Sequence, residues 1–453
     1  MTPWMLIAMV IITSVDPDIK QSTSIEIYNR DQALIHEVRQ VDFDKGVNTV
    51  DFHRISDGIF GRSIQINPLE NQSRLATRSI TFRYNMISHD KLIEYFTGRW
   101  FAFSTGDMEY AGRLLYTDSE HLFLQPDTTD PQIEVVDRGE VSDMIYPEIP
   151  DKFSTESTLR WVVEADRGLK KQDIELSYLT SDISWMCDYR AEISGDETLL
   201  LSAVFSIDNQ LPLDFPDAEV ALVAGSTHRS ADPKGGDDLE YSAGAGNDKS
   251  AASQRFFEYY RFPVEYKLNL ESHQTIQVPF FSPIPVKVEK RFIFPHLLQG
   301  GTVQVKLKLH NNEDSGLGRP LPEGNIGIYK RTDGGNLSFL GEDFLLDTPT
   351  GGEAEINVGD AFDINARRTR IAQGRPQRDR HEETWRVEII SNRSEPTTVH
   401  IEQKVFGYYQ VALAEVDGKE IEYYSESANV LMFPVVVNPG KRAVLDYSLV
   451  HGF

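Results

Sequence analysis

Apolar and polar side chains alternate one for one along much of this chain. The clearest case is Thr302–Leu309, where Val303, Val305, Leu307 and Leu309 alternate with Thr302, Gln304, Lys306 and Lys308. A period of two puts the four aliphatic side chains on one face of a sheet and the polar ones on the other. The same reading predicts strands at Ser24–Tyr28, Val47–Phe52, Ile174–Tyr178, Leu199–Ile207, Ala218–Val223, Thr275–Phe280, Trp385–Ile390, Thr398–Val405 and Val444–Leu449. Their spacing is that of sandwiches and barrels. Helical spacing is confined to a turn or two at His89–Phe96. There are no heptads and no strand–helix alternation, which argues against Rossmann and TIM architectures. The predicted fold class is therefore all-β.

Segment 316–349 is dense in glycine and proline, and it could be read either as a ligand loop or as sheet punctuation. Pro320 and Pro322 cannot donate to a ladder, so they mark a strand entrance. Asn325–Lys330 then reads as a strand, Asp333-Gly334-Gly335 as a hairpin turn and Leu337–Leu340 as the antiparallel return. Gly341 marks a bulge or turn before Phe344–Leu346. The glycine spacing fits neither a Walker loop nor a dinucleotide fingerprint, and no helix follows to receive a phosphate.

Length sets the number of units. At 453 residues the chain exceeds the size at which one core stops growing. The breaks suggest residues 22–88 as an N-terminal β module and 89–146 as a small SH3-like barrel unit. They further suggest 147–300 as a central β-sandwich and 301–453 as a C-terminal Ig-like sandwich. Trp161, Trp185, Tyr178 and Phe205 are the expected core of the central unit. Residues 230–253, rich in Gly, Ser, Ala and Asp, read as a mobile loop.

Residues 1–21 read as a probable signal peptide. The apolar run Trp4–Val15 is 12 residues long, against about 20 for a membrane-spanning helix. It has the length of a secretory h-region, with Thr13 and Ser14 as small residues before Asp16. No Lys or Arg precedes it, and a buried N-terminal strand is the competing reading. No other segment is long and apolar enough to span as a helix. The expected location is extracytoplasmic, in the periplasm or at the cell surface.

Charge narrows the partners. The chain carries 70 acidic and 45 basic residues, a formal net charge of −25. Such a surface repels phosphate backbones and anionic lipid, so nucleic acid is not an expected partner. The single cysteine, Cys187, allows neither an intramolecular disulfide nor a cysteine zinc cage, and its apolar setting reads as core.

Motif after motif fails the test for chemistry. His381-Glu382-Glu383-Thr384-Trp385 begins like a zinc-protease helix, but Trp385 stands where the second histidine must be. Residues 311–316 (NNEDSG) resemble the start of a calcium loop, yet Pro322 occupies the place of the bidentate acid. The acids of 232–250 (Asp232, Asp237, Asp238, Glu240, Asp248) could gather Ca²⁺ weakly, but solvation explains them as well. His310 reads as a surface or turn residue. The six arginines of 367–380 are either a docking strip for an acidic partner or a solvated loop. Aromatic pairs at Phe256-Phe257, Tyr259-Tyr260, Tyr408-Tyr409 and Tyr423-Tyr424 would each put one ring in the core and one outside. No catalytic, cofactor-binding or metal-ligating residue is assigned.

Several long stretches resemble the bacterial DUF4139 family, which includes mucoidy inhibitors. These are 176–193 (with Tyr178, Trp185 and Tyr189), 204–226, 320–364 and 431–450. Residues 25–55 are similar to the DUF4140-type N-terminal module. Mucoidy-inhibitor members carry a coiled coil between the two modules, where this chain has 89–146. The resemblance implies a mostly β, often exported protein, with no settled activity and no catalytic residues to carry over. The resulting expectation is a non-enzymatic envelope protein acting on a protein or glycan surface. The alternatives are a polysaccharide hydrolase with an unrecognised carboxylate pair and a carbohydrate-binding module.

Overall fold

The computed structural model describes residues 11–15, 20–29, 31–83, 89–106, 108–126, 132–146, 157–225, 254–256, 259–373 and 380–452. The acidic loop 232–250 and most of the second half of the arginine-rich stretch lie outside them. Almost every described element is a strand, and the main helix is His89–Phe96. The strands form sheets of four, five, eight and fourteen members.

The four- and eight-stranded sheets are built jointly from the N-terminal and central segments. Gln32–Phe43 pairs antiparallel with Leu169–Thr180, and Gly46–Phe52 with Thr158–Ala165. Lys20–Tyr28 lies parallel to Phe215–Ala224. Ile11–Val15, the end of the run read as an h-region, runs parallel to Asn48–Phe52. The two sheets meet where Trp161 and Phe43 pack edge to face, 5.7 Å between centroids. Trp161, Trp185, Tyr178 and Phe205 are all buried in one core, as alternation implied.

The fourteen-stranded sheet crosses the 300/301 division, because Gln274–Phe294 and Gly300–His310 form one antiparallel pair. Gln274–Phe294 and Glu353–Gln373, 21 residues each, run from the large core into a second one. That second core is made of residues such as Phe292, Val303, Val387, Phe433 and Tyr447. Segment 316–349 is punctuation. Gly324–Arg331 and Leu337–Leu345 pair around a turn whose Gly335 has φ +82°. The expected break at Gly341 is a bulge at Leu340, and the strand continues through it to Leu345.

Residues 89–146 need a correction. The helix is followed by five antiparallel strands with their own core (Ile93, Phe96, Phe101, Phe103, Leu114, Leu122, Leu124, Val136). The expected barrel does not close. Glu134–Asp137 and Asp143–Ile145 are the two outer strands, of four and three residues, and a 3-10 turn lies between them. Strands this short leave no length over which the two edges could wrap round and pair.

Candidate functional site

A wide concavity forms at a fork between two strands. Lys20–Tyr28 and Phe215–Ala224 are in parallel register from Ser24–Glu219 to Tyr28–Val223. Before that point they separate. Lys20–Thr23 stays on Gln32–Phe43, whereas Phe215–Ala218 turns to pair with Leu268–Leu270. Asp217, at φ +48°, lies in the bulge that makes this turn, and its amide donates to Asn269 Oδ1 at 2.9 Å. The fork encloses about 890 Å³, lined by residues 20–23, 214–217 and 269–272 with Arg54 and Lys267.

Hydrogen bonds fix its walls. Asp214 Oδ1 accepts from the Ser272 amide at 2.8 Å, and the Ser272 hydroxyl donates to Leu211 O. Asn209 Nδ2 donates to the carbonyls of Leu213 and Glu271. Lys20 reaches inward, where Nζ donates to Glu37 Oε1 at 2.5 Å while lying 5.9 Å from the Phe215 ring. Glu37 is fully buried, and its other oxygen accepts from Nε and NH2 of Arg39, also fully buried. Arg39 also donates to His53 O and lies over Phe52. Burial alone would push the Glu37 carboxyl up; Arg39 and Lys20 outweigh it and hold the group below its ordinary value. Two cations on one carboxylate leave a net positive charge in the inner wall of the cleft.

The lining is rich in hydrogen-bonding groups of both kinds. Lys20, Arg54 and Lys267 face Asp214, Asp217 and Glu271, with Gln21, Ser22, Thr23, Asn269 and Ser272 between them. Phe215 and Leu270 are buried behind this polar wall. Such a wall suits a hydrated, polyhydroxylated ligand better than an apolar one, since most small-molecule pockets are lined by hydrophobic side chains.

The residues singled out in the sequence are placed elsewhere. His381–Trp385 is strand, not helix, and His451 Nε2 lies 3.4 Å from Glu383. Asn311–Gly316 is a turn, with buried Asn311 donating to the carbonyls of Arg319, Thr348 and Pro349. His310, at the strand end, is half exposed and pairs with Glu353. Arg368, from the arginine-rich stretch, is buried over Phe294 and donates to the carbonyls of Pro295, His296 and Glu402. It is neither strip nor solvated loop. Tyr408 is exposed and Tyr409 half-buried, but Tyr423 and Tyr424 are both exposed. Cys187 is buried. Among the described residues no group of three His, Cys, Asp or Glu could hold a metal ion, and no helix is long and apolar enough to cross a membrane.

The fold and cleft thus define a class: an all-β, multi-sheet protein with a polar fork between two of its strands. No family model matches the chain, and no curated protein is significantly similar to it.

Proposed function

We propose that this chain is a non-enzymatic, extracytoplasmic binding protein, and that the fork holds a glycan of the cell envelope. The observation that carries the reading is the lining of the cleft. Donors and acceptors both line the fork, over a volume large enough for several sugar units. The resemblance to DUF4139 proteins supports export, as does the apolar run ending at Val15. A mature chain that keeps Ile11–Val15 keeps the four-stranded sheet, and one that begins at Asp16 leaves Gly46–Phe52 as an edge. The mass of the protein recovered from cell fractions separates the two.

The binding test is calorimetric titration of the purified chain with envelope oligosaccharides. Lys267→Glu and Glu271→Ala, both at exposed positions, are expected to weaken binding at least about tenfold, the loss of one or two hydrogen bonds to a charged group. Unchanged affinity in both variants removes the cleft from the proposal. Turnover of the glycan, lost on neutralising Asp214 or Glu271, would make the protein a hydrolase instead.

A further inference from the structure

The fourteen-stranded sheet curls on itself. In order, Leu337–Leu345, Gly324–Arg331, Ile183–Ile193, Thr198–Asn209, Gln274–Phe294, Gly300–His310 and Glu353–Gln373 are hydrogen-bonded neighbours. The first and last of these come side by side without forming a ladder. Across that seam the Asp343 carboxylate accepts from the Asn357 amide at 2.6 Å. Any Cβ on Gly341 would stand 2.6 Å from Val358 O, so the backbones nearly touch.

At the end of the curl nearest the 194–197 turn, the seam opens into a cavity of about 300 Å³. Two bulges shape it. Leu340 is the extra residue opposite Ile328 and Tyr329, and Val358 the extra residue opposite Val305 and Lys306. Both line the cavity, and the chain leaves Val358 through Gly359 at φ +136°. Bulges re-aim side chains and interrupt pairing, and they concentrate beside functional sites. The cavity's accessible apolar surface comes from Ile193, Val305, Val358 and the exposed Leu340, with Leu199, Val288 and Leu307 buried behind them.

The rim is cationic on a chain of −25. The Phe292 ring carries two cations, Arg393 at 4.9 Å and Lys290 at 5.7 Å from its centroid. Lys290 also lies 3.6 Å from Asp196, and the rim's other acid, Asp360, accepts from the Thr302 hydroxyl. Arg393 and Lys330 make no ion pair among the described residues, and both line the opening. Aliphatic walls beside two cations without a carboxylate partner are complementary to one anionic group on a short apolar body.

We infer that this mouth binds a small free amphiphile, a medium-chain carboxylate, with its tail against Ile193, Val305, Leu340 and Val358 and its head on Arg393 and Lys330. The test uses the full chain with octanoate, 1-octanol and octylammonium as probes, followed by calorimetry. Octanoate should bind at least about tenfold more tightly than octanol, and octylammonium should not bind. Lys330→Glu with Arg393→Glu should abolish octanoate binding, and Lys330→Arg with Arg393→Lys should retain it. A diazirine analogue of octanoate should label peptides containing residues 193–199, 337–342 or 356–361. Equal binding of octanoate and octanol, binding that survives the charge reversal, or labelling confined to other peptides would each overturn the assignment. Unaltered unfolding curves for both double variants establish that loss of binding is not loss of fold.

Discussion

At the scale of single residues, the costliest group in the molecule is the Glu37 carboxylate. It is fully buried and survives there because Lys20 and Arg39 both bind it. Breaking a buried pair by removing one partner costs about 3–5 kcal/mol, because the other charge is left uncompensated. Glu37→Ala is expected to lose about that much in urea denaturation near neutral pH. The sign of the pH dependence follows from the lowered carboxyl pKa. Its stabilisation is complete above the unfolded value, near 4.5, and is lost as pH falls through the folded value. The gap between wild type and Glu37→Gln should therefore narrow on going to about pH 3. Cys187 shows the opposite use of burial. Desolvation, opposed by a hydrogen bond with Tyr189 and aided slightly by the Asp188 charge, pushes its thiol up to about 12. A thiolate is the reactive form. The native protein should leave a disulfide reagent unreacted at neutral pH, and unfolded protein should consume one equivalent, matching its single cysteine.

At the scale of elements, the strands were the legible part. Val303, Leu307 and Leu309 are buried where alternation put them, and Val305 is half-buried at the mouth of the curl. The helix at His89–Phe96 stands where its spacing placed it. What alternation cannot carry is the choice of partner. Lys20–Tyr28 is parallel to a strand nearly 200 residues away, and a parallel pair needs a long crossover whose course no local pattern records. The fork is made by that pairing and its early end, so Lys20, Asp214, Asp217 and Glu271 had no common signal in the sequence. The Asp-Phe-Pro-Asp stretch at 214–217, with a proline between two acids, was the nearest thing to one. Of the two bulges at the seam, the one at Leu340 was announced by Gly341, whereas the one at Val358 carried no such reading. Register also explains one glycine that composition could not. Gly324 faces Cys187 across the parallel pair of Ile183–Ile193 and Gly324–Arg331, and a Cβ there would stand 1.7 Å from Cys187 O. The obstacle is backbone, so the strands must part. Gly324→Ala is expected to destabilise by about 3 kcal/mol or more, the upper end for overpacking, read as a lowered denaturation midpoint with an unchanged slope.

At the scale of the whole molecule, residues 89–146 behave as an insertion in a hairpin. Leu75–Arg83 and Thr158–Ala165 pair antiparallel, and the last pair in the ladder before the insertion is Arg83 with Thr158. The chain therefore leaves the four-stranded sheet and returns to it at adjacent points. A two-residue turn could join those strands directly. Among the described residues no sheet pairing links the inserted strands to the rest, and their core is separate from the other two. A unit of about 60 residues buries only about 60% of its unfolded surface and is marginal alone. The host shares cores over hundreds of residues, and neither of those cores includes a described residue of the insert. Calorimetry of the full chain should then show a small low-temperature transition ahead of the main one. Replacing 84–157 by Asn-Gly should remove the first and leave the second within a few degrees, since a ΔΔG of 1 kcal/mol shifts a large domain by only about 2–4 °C. A deletion variant that fails to fold, or a single transition for the intact chain, would mean that the insert is bound into the host through surfaces other than strand pairing. If the deletion variant still binds ligand in the fork, recognition belongs to the host sheets. The insert would then be a separable module.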